Sequence, residues 1–441
     1  MGTRDSAPTT PLLSRLEQVL RGQQLVLFSS GASSYLAIGV AGEILVREDD
    51  AVVVSGKRFG ELTLPTRDPF VTIGDLIGRH PHCRLFGYIA YDACRFYAPY
   101  TKRATHPVIH LIEPKVVVST SAVDDVGSIS FAEGAEDLAS AVLAALGGSA
   151  SPVSADVPTS VLPIGSEDAN DRQRYTENVE RAIERLHGTD LLKVILSRSV
   201  ETPGHVDLFR THATATAEVA FDRSFAFRLG TVEGVGVSPA PLLRTSSSGN
   251  IETVALAGSR PRGATPEDDE RLRSELYSDP KEASEHALSA WMAHREIASV
   301  SRPGSAAIRE FMDVRRFTHI QHLAAHVTGE LAAGLHTGHA LRAVFPGVTA
   351  TGLPKDRAIE TIDRLEASSR GVYGGAVGWW SGSGDADFSI CIRSVFGYDG
   401  RIRISAGAGI VGSSNADYEW TETVNKMNTI LKRTILANDG G

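Results

Sequence analysis

Cysteine is scarce in this sequence: three residues in 441, at Cys83, Cys94 and Cys391. They are too few and too scattered for a disulfide framework or a thiolate zinc site, and they read as reduced, buried thiols. No window reaches the roughly 18 consecutive apolar residues that a membrane-spanning helix needs. The N-terminal stretch MGTRDSAPTTPLLSRLEQVL lacks the apolar core of a signal peptide. Positive charge is short as well, with 44 Lys and Arg against 53 Asp and Glu and a formal net charge of −9. That balance argues against nucleic acid or a membrane surface as a partner. The expectation is a cytoplasmic monomer that gathers anionic small molecules through local Lys and Arg.

What is present is a long alternation of strands and helices. QLVLFSS, SYLAIGV, EILVRED and AVVVSG read as four strands between residues 24 and 56, and residues 86–97 and 107–121 continue the pattern. An Ala/Leu-rich helix is expected over 134–147. The stretch 147-GGSASPVSADVPTS-160 has linker composition. Beyond it come an amphipathic helix ending at Gly188, the strand LLKVILSRSVE, and strands at FAFRLG, VGVSPAPLLRT and ETVALAGSRPRG. A helix starting at SDPKEASEH and another at GHALRAVFPGV follow. The strands AVGWWSG, DFSICIRSVFGYD and RIRISAGAGIV precede a last helix, NADYEWTETVNKMNTILKRTI. Strands outnumber helices, so the fold class is α+β with large, mostly antiparallel sheets flanked by helices. One domain over 1–441 is expected, with 1–150 as the N-terminal part of the sheet and 160–437 as a catalytic core.

Two helices carry paired carboxylates. In 278-SDPKEASEH-286, Asp279 suits an N-cap, Pro280 the first helical position and Glu282 the capping-box position. Glu285 stands one turn beyond Glu282 on the same face. Near the C-terminus Glu419 and Glu422 repeat the spacing, with Lys426 one turn further. Two such helices side by side can hold a divalent cation, and an all-oxygen ligand set suits Mg²⁺. The same spacing equally serves solvated helix faces with ordinary i,i+4 pairs.

Lys193 interrupts an apolar strand. A lysine there either points to solvent or sits desolvated as a general base. Arg393 lies in a similar setting, and its permanent charge suits anion binding. Gly407 and Gly409 offer close backbone approach or a bend, without the strand–GxGxxG–helix context of a dinucleotide site. His322, in HIQHLAAH, reads from the sequence alone as a core histidine.

Taken together, LLKVILSRSVE, ETVALAGSRPRG, SDPKEASEH, FMDVRRFTHIQHL, FPGVTATGLPK, GVYGGAVGWW, ISAGAGIV and EWTETVNKM resemble the chorismate-utilising enzymes, over about residues 85–435. PGSAAIREFMDVRRFTHIQHLAAHV and FPGVTATGLPK are similar to the salicylate synthase branch. The resemblance implies one large unit with two sheets, a deep cleft, and Mg²⁺ held by Glu285 and Glu422, with Glu282 and Glu419 holding metal-bound waters. It implies Lys193 as the base that activates water for attack at ring carbon C2. Gly258, Ser259, His322 and Thr349 would line the ring pocket. Tyr373, Arg393, Gly407 and Lys426 would hold the carboxylates of chorismate or isochorismate. The implied reaction is chorismate to isochorismate, then salicylate plus pyruvate, as in siderophore or other secondary metabolism. An aminating role is disfavoured, because Lys193 stands where that branch commonly carries Gln.

One position departs from the pattern. The family usually reads Ser-Pro-Glu where this chain reads 238-SPAPLL-243, so the acid that protonates the leaving C4 hydroxyl is replaced by Ala240. A lost general acid costs roughly 10²–10⁴-fold in rate. Glu252 is a substitute nearby in sequence. The alternatives are a lyase acting on isochorismate only, another change on a chorismate-type ring, or a protein that binds the ligand without turning it over.

Overall fold

The structure, a computed structural model, describes residues 9–48, 51–121, 127–147, 167–219, 221–318 and 320–437. The helices are α1 (Thr9–Leu20), α2 (Pro69–Ile77), α3 (Glu136–Gly147), α4 (Ala169–Gly188), α5 (Leu208–Glu218), α6 (Pro266–Ser278), α7 (Pro280–Val300), α8 (Thr337–Val344), α9 (Lys355–Leu365) and α10 (Ala416–Leu431). The N-terminal strands are β1 (Leu25–Ser30), β2 (Ser33–Val46), β3 (Ala51–Gly56), β4 (Leu62–Pro65), β5 (Arg84–Ile89), β6 (Ile109–Ser121) and β7 (Ser128–Phe131). The central strands are β8 (Lys193–Pro203), β9 (Arg223–Leu229), β10 (Val232–Ser238), β11 (Pro241–Thr245), β12 (Asn250–Pro261), β13 (Ala307–Arg316) and β14 (Ile320–Glu330). The last are β15 (Gly352–Leu353), β16 (Ala376–Ser381), β17 (Ala386–Ile390), β18 (Ser394–Tyr398) and β19 (Arg401–Ile410).

Every strand pairing among the described residues is antiparallel. Most pairings follow one path, β13–β14–β12–β11–β17–β16–β5–β6–β2–β1–β9–β10–β18–β19–β8–β15, from which β3 and β4 branch at β2 and β7 branches at β6. The two layers are therefore halves of one folded sheet rather than two independent sheets. Phe28, Phe86, Tyr88, Phe225, Phe227 and Phe396 pack between them and close that core. Along most strands the period of two keeps an apolar face inward, while β4, β7 and β13 are largely exposed.

Several local differences from the pattern have physical causes. SYLAIGV and EILVRED form the single strand β2, which passes a register shift between Val40 and Gly42. After β5, residues 91–96 turn into a 3₁₀ helix rather than extending the strand. Helix α6 lies in a polar, charge-rich segment with weak apolar periodicity, whereas α9 is short but clearly amphipathic, burying Ala358, Ile359 and Ile362. DFSICIRSVFGYD is two strands, because the chain breaks at Cys391–Arg393, where Arg393 takes φ +50. The linker candidate, apart from Gly147, lies outside the described residues. Helix α7 packs across β12 and β14, and α10 lies against β19. Those two contacts bring both glutamate pairs to the same end of the sheet.

Candidate active site

Helix α7 starts as its first residues dictate. Asp279 caps it by accepting from the backbone N–H groups of Lys281 and Glu282, at 2.9 and 3.3 Å, and Pro280 follows. Glu282 makes no capping box. Its Oε2 instead accepts from Ser259 N–H at 2.9 Å, and its Oε1 lies 3.4 Å from Arg260. Ser259 can turn that N–H outward because β12 bulges between Ala257 and Ser259. Gly258 holds φ +76 there, where a Cβ would stand 3.2 Å from Glu282 Oε2.

Lys193 begins β8 and is 2% exposed. Its Nζ lies 2.7 Å from Glu285 Oε1 and 3.5 Å from Ser289 Oγ, one turn further along α7. Gly409 leaves room for this pair, since a Cβ there would sit 3.0 Å from Glu285 Oε1 and 3.2 Å from Lys193 Cε.

On α10, Glu422 lies 2.5 Å from Lys426, whose Nζ also donates to Gly407 O at 3.0 Å. Glu419 is fully buried. Its Oε1 accepts from Ser414 Oγ at 2.7 Å and meets Lys281 Nζ at 3.3 Å, while Oε2 has no hydrogen-bond partner. Burial and the neighbouring charge of Glu422 push Glu419 up to about 7. Burial opposes ionisation of Glu422, but Lys426 outweighs it and holds that carboxyl down to about 2. The two acids share one favoured proton. Lys281 faces Glu419, Glu285 and Glu282 together, so both pairs border one space.

Each of the four glutamates thus has a cation of its own: Arg260, Lys193, Lys281 and Lys426. Among the described residues, no three metal-binding side chains converge into a closed ligand set. The donors nevertheless fit a hard divalent cation. They are all carboxylate oxygens, and Glu419 Oε2 is buried with nothing to bind.

The cleft beside the glutamates carries the remaining residues. His322 Nδ1 lies 3.2 Å from Gly258 O, which fixes Nδ1 as the donor and leaves Nε2 as a buried acceptor without a partner. Burial, helped by the charge of Arg393, lowers its imidazole to about 3, so the ring is neutral. Arg393 makes no ion pair among the described residues. Burial pulls its guanidinium below its ordinary value, against the opposing pull of Tyr373 and Glu422. The Tyr373 hydroxyl would stand 3.2 Å from a Cβ at Gly407. A desolvated, unpaired guanidinium beside a buried phenol is a ready carboxylate site.

Thr349 and Ala240 lie together on a cavity of about 30 Å³. Its walls are mostly hydrocarbon, including Leu242, Val254, Leu256, Ile390 and Ile392. The one carboxylate lining it, Glu296, is locked to Lys355 at 2.6 Å. Glu252 does not replace the missing acid. It shares a face of β12 with Val254 and Leu256 but stands further along the strand, off the cavity, where it binds Arg244 at 3.3 Å and His326 at 3.0 Å.

The structure thus gathers the two glutamate pairs, Lys193, Gly258, Ser259, His322, Tyr373, Arg393, Gly407 and Lys426 close together, and places Thr349 and Ala240 on a small apolar cavity that none of them lines. The sequence reading missed Lys281, Arg260 and Ser289. Ser289 was within reach, being one helical turn beyond Glu285. Lys281 was hidden because its partner Glu419 lies 138 residues away.

The model for chorismate binding enzymes matches residues 23–432. The chain is 40% identical over 269 residues to anthranilate synthase component 1 of Methanothermobacter thermautotrophicus, covering 61% of this chain and 58% of that protein. The chain thus spans less than two thirds of that relative's length. It is 31% identical over 417 residues to the Methanothermobacter marburgensis protein of the same name, covering 93% and 88% of the two chains. Among solved structures, anthranilate synthase component I from Streptococcus pneumoniae superposes with a TM-score of 0.76 at 25% identity, over 91% of this chain and 92% of that one. The menaquinone-specific isochorismate synthase MenF from Escherichia coli shares the fold, with a TM-score of 0.71 at 20% identity, over 93% and 90% of the chains.

Proposed function

The chain belongs to the chorismate-binding enzymes, and from that premise we propose that it releases pyruvate from an isochorismate-type ring to give salicylate. The observation that carries this reading is the apolar cavity at Ala240. A chorismate ring seated between Lys193 and Thr349 would direct its C4 hydroxyl at Ala240, Val254 and Leu256, with no free acid to protonate it. Isochorismate carries no hydroxyl at that carbon.

Elimination needs no protein acid. The C3–O bond of the enolpyruvyl ether breaks as the C2 hydrogen passes to the enolpyruvyl methylene. The ring becomes aromatic, and the arm leaves as pyruvate. The protein's part is orientation. Arg393, with Tyr373, holds the enolpyruvyl carboxylate, and its unpaired guanidinium supports that role. Neutral His322 accepts a hydrogen bond at Nε2 from a ring hydroxyl. Lys193, beside Glu285 and Ser289, fixes a donor against the same ring edge. Glu285 and Glu422 would hold Mg²⁺, with Glu282 and Glu419 holding its waters. When bound, the cation supplies charge neutralisation for the ring carboxylate.

The names of the relatives favour a second reading, addition of ammonia to chorismate with a companion subunit as the ammonia source. Here too the C4 hydroxyl must leave, so the same cavity weighs against it.

One assay tests both readings. Protein with Mg²⁺ receives chorismate, isochorismate, or chorismate plus an ammonium salt, and products are identified by mass. Salicylate from isochorismate supports the proposal. Anthranilate from the ammonium tube replaces it with the second reading. Consumption of neither ring overturns both.

A further inference from the structure

A second cavity, of about 160 Å³, lies behind the segment that carries Tyr373. It is not part of the cleft described above. Gly371 and Val372 form its wall, and Tyr373, the next residue, faces the other way, toward Gly407. Arg370 anchors this partition by donating to Ala350 O at 2.6 Å and to Ile195 O at 2.8 Å.

The cavity's polar groups are arranged by depth. Two fully buried side chains stand inside it with capacity to spare. The Tyr88 hydroxyl has no hydrogen-bond partner. Asp92 Oδ1 accepts from Ser369 Oγ at 2.6 Å while Oδ2 completes no hydrogen bond, and burial pushes its carboxyl up to about 6 against the opposing pull of the Ser369 and Tyr100 hydroxyls. Buried polar groups are almost always satisfied, so groups left open beside a void mark a place for a polar ligand atom. The middle is apolar and aromatic: Ala90, Pro107, Val372 and the Tyr398 ring. At the rim, Arg103 is exposed and makes no ion pair among the described residues. The other cations are committed elsewhere, His106 to Asp399 at 2.9 Å and Arg403 to Glu201 at 2.6 Å.

We propose that this cavity is a second ligand site, for a small aromatic carboxylate whose far end carries a hydrogen-bond donor. The donor meets Asp92 and Tyr88, the ring lies along Tyr398, and the carboxylate reaches Arg103. The volume agrees, because cavities of roughly 150 Å³ hold a benzene ring. The inference stands apart from the reaction proposed above, since it uses none of the same side chains.

The probe is 4-hydroxybenzoate, with benzoate as the version lacking the donor. Binding to the full-length protein is measured by calorimetry and by ligand-observed NMR. Saturable binding is expected, weakened about tenfold or more in Arg103→Ala, as for loss of a charge-assisted carboxylate contact. Tyr88→Phe and benzoate each weaken it severalfold, and Arg393→Ala leaves it unchanged. Arg103 is exposed, so its variant should fold. Absence of saturable binding, which would mean a water-filled void, overturns the proposal. So does indifference to Arg103→Ala, or loss of binding in Arg393→Ala, which would put the ligand in the active-site cleft.

Discussion

Restoring a carboxyl at position 240 should change which ring the protein can start from. Ala240 is 5% exposed and packs against Val254, Leu256 and Ala324. Two costs fall on chorismate there. A buried hydroxyl left without a partner costs about 1–3 kcal/mol. A missing general acid costs roughly 10²–10⁴ in rate, or about 3–5 kcal/mol. Together they predict that kcat/KM for isochorismate exceeds that for chorismate by about 10³ or more. Ala240→Glu should raise chorismate turnover about 100-fold while leaving pyruvate release from isochorismate within a few fold. Glu296, the carboxylate already lining the cavity beside Ala240, is neutralised by Lys355 and does not repel the new one. The assay is initial-rate measurement with each ring, for wild type and variant, pyruvate being read by a coupled dehydrogenase. The reasoning fails if the wild type uses both rings within tenfold of each other. It also fails if Ala240→Glu keeps its isochorismate activity and gains nothing on chorismate.

Three further outcomes follow from the geometry. Arg393→Ala should weaken ring-ligand binding by about 1.5–3 kcal/mol, the range for a hydrogen bond to a charged group, and calorimetry that finds no change would remove Arg393 from the site. Glu285→Gln should weaken Mg²⁺ binding at least tenfold in the presence of ligand, and removing Mg²⁺ with a chelator should abolish turnover; equal Mg²⁺ affinity in the variant would exclude the two-helix cation site. His212 is fully buried, and burial lowers its imidazole from 6.5 to about 4, so the folded state favours the neutral ring. Its stabilisation is complete above pH 6.5 and is lost as pH falls from 6.5 toward 4, by about 2 kcal/mol between pH 6.5 and 5. Urea midpoints at pH 7 and pH 5 should therefore converge in His212→Asn relative to wild type, and an unchanged gap would show that His212 does not titrate this way.

The elements that the sequence determined by itself are those whose information is local. Alternation marked β8, β12 and β19, and Asp279-Pro280 marked the start of α7, because period and capping act within a few residues. The Glu-x-x-Glu stripes were legible for the same reason, and Ala240 was legible because it breaks a pattern of adjacent residues. Tertiary structure decided everything that depends on which segments meet. It split DFSICIRSVFGYD at a left-handed Arg393 and so turned that guanidinium into the cleft. It drew Glu282 away from a capping box to the N–H of Ser259, a contact across 23 residues that only the bulge at Gly258 permits. It set Glu252 against Arg244 and His326, which hold it off the cavity at Ala240. It also paired Lys281 with Glu419, so that the four carboxylates border one space. Ion pairs and orphaned acceptors of this kind depend on distances between residues far apart in the chain. A charge on one helix carries no mark of the opposite charge that folding will bring beside it.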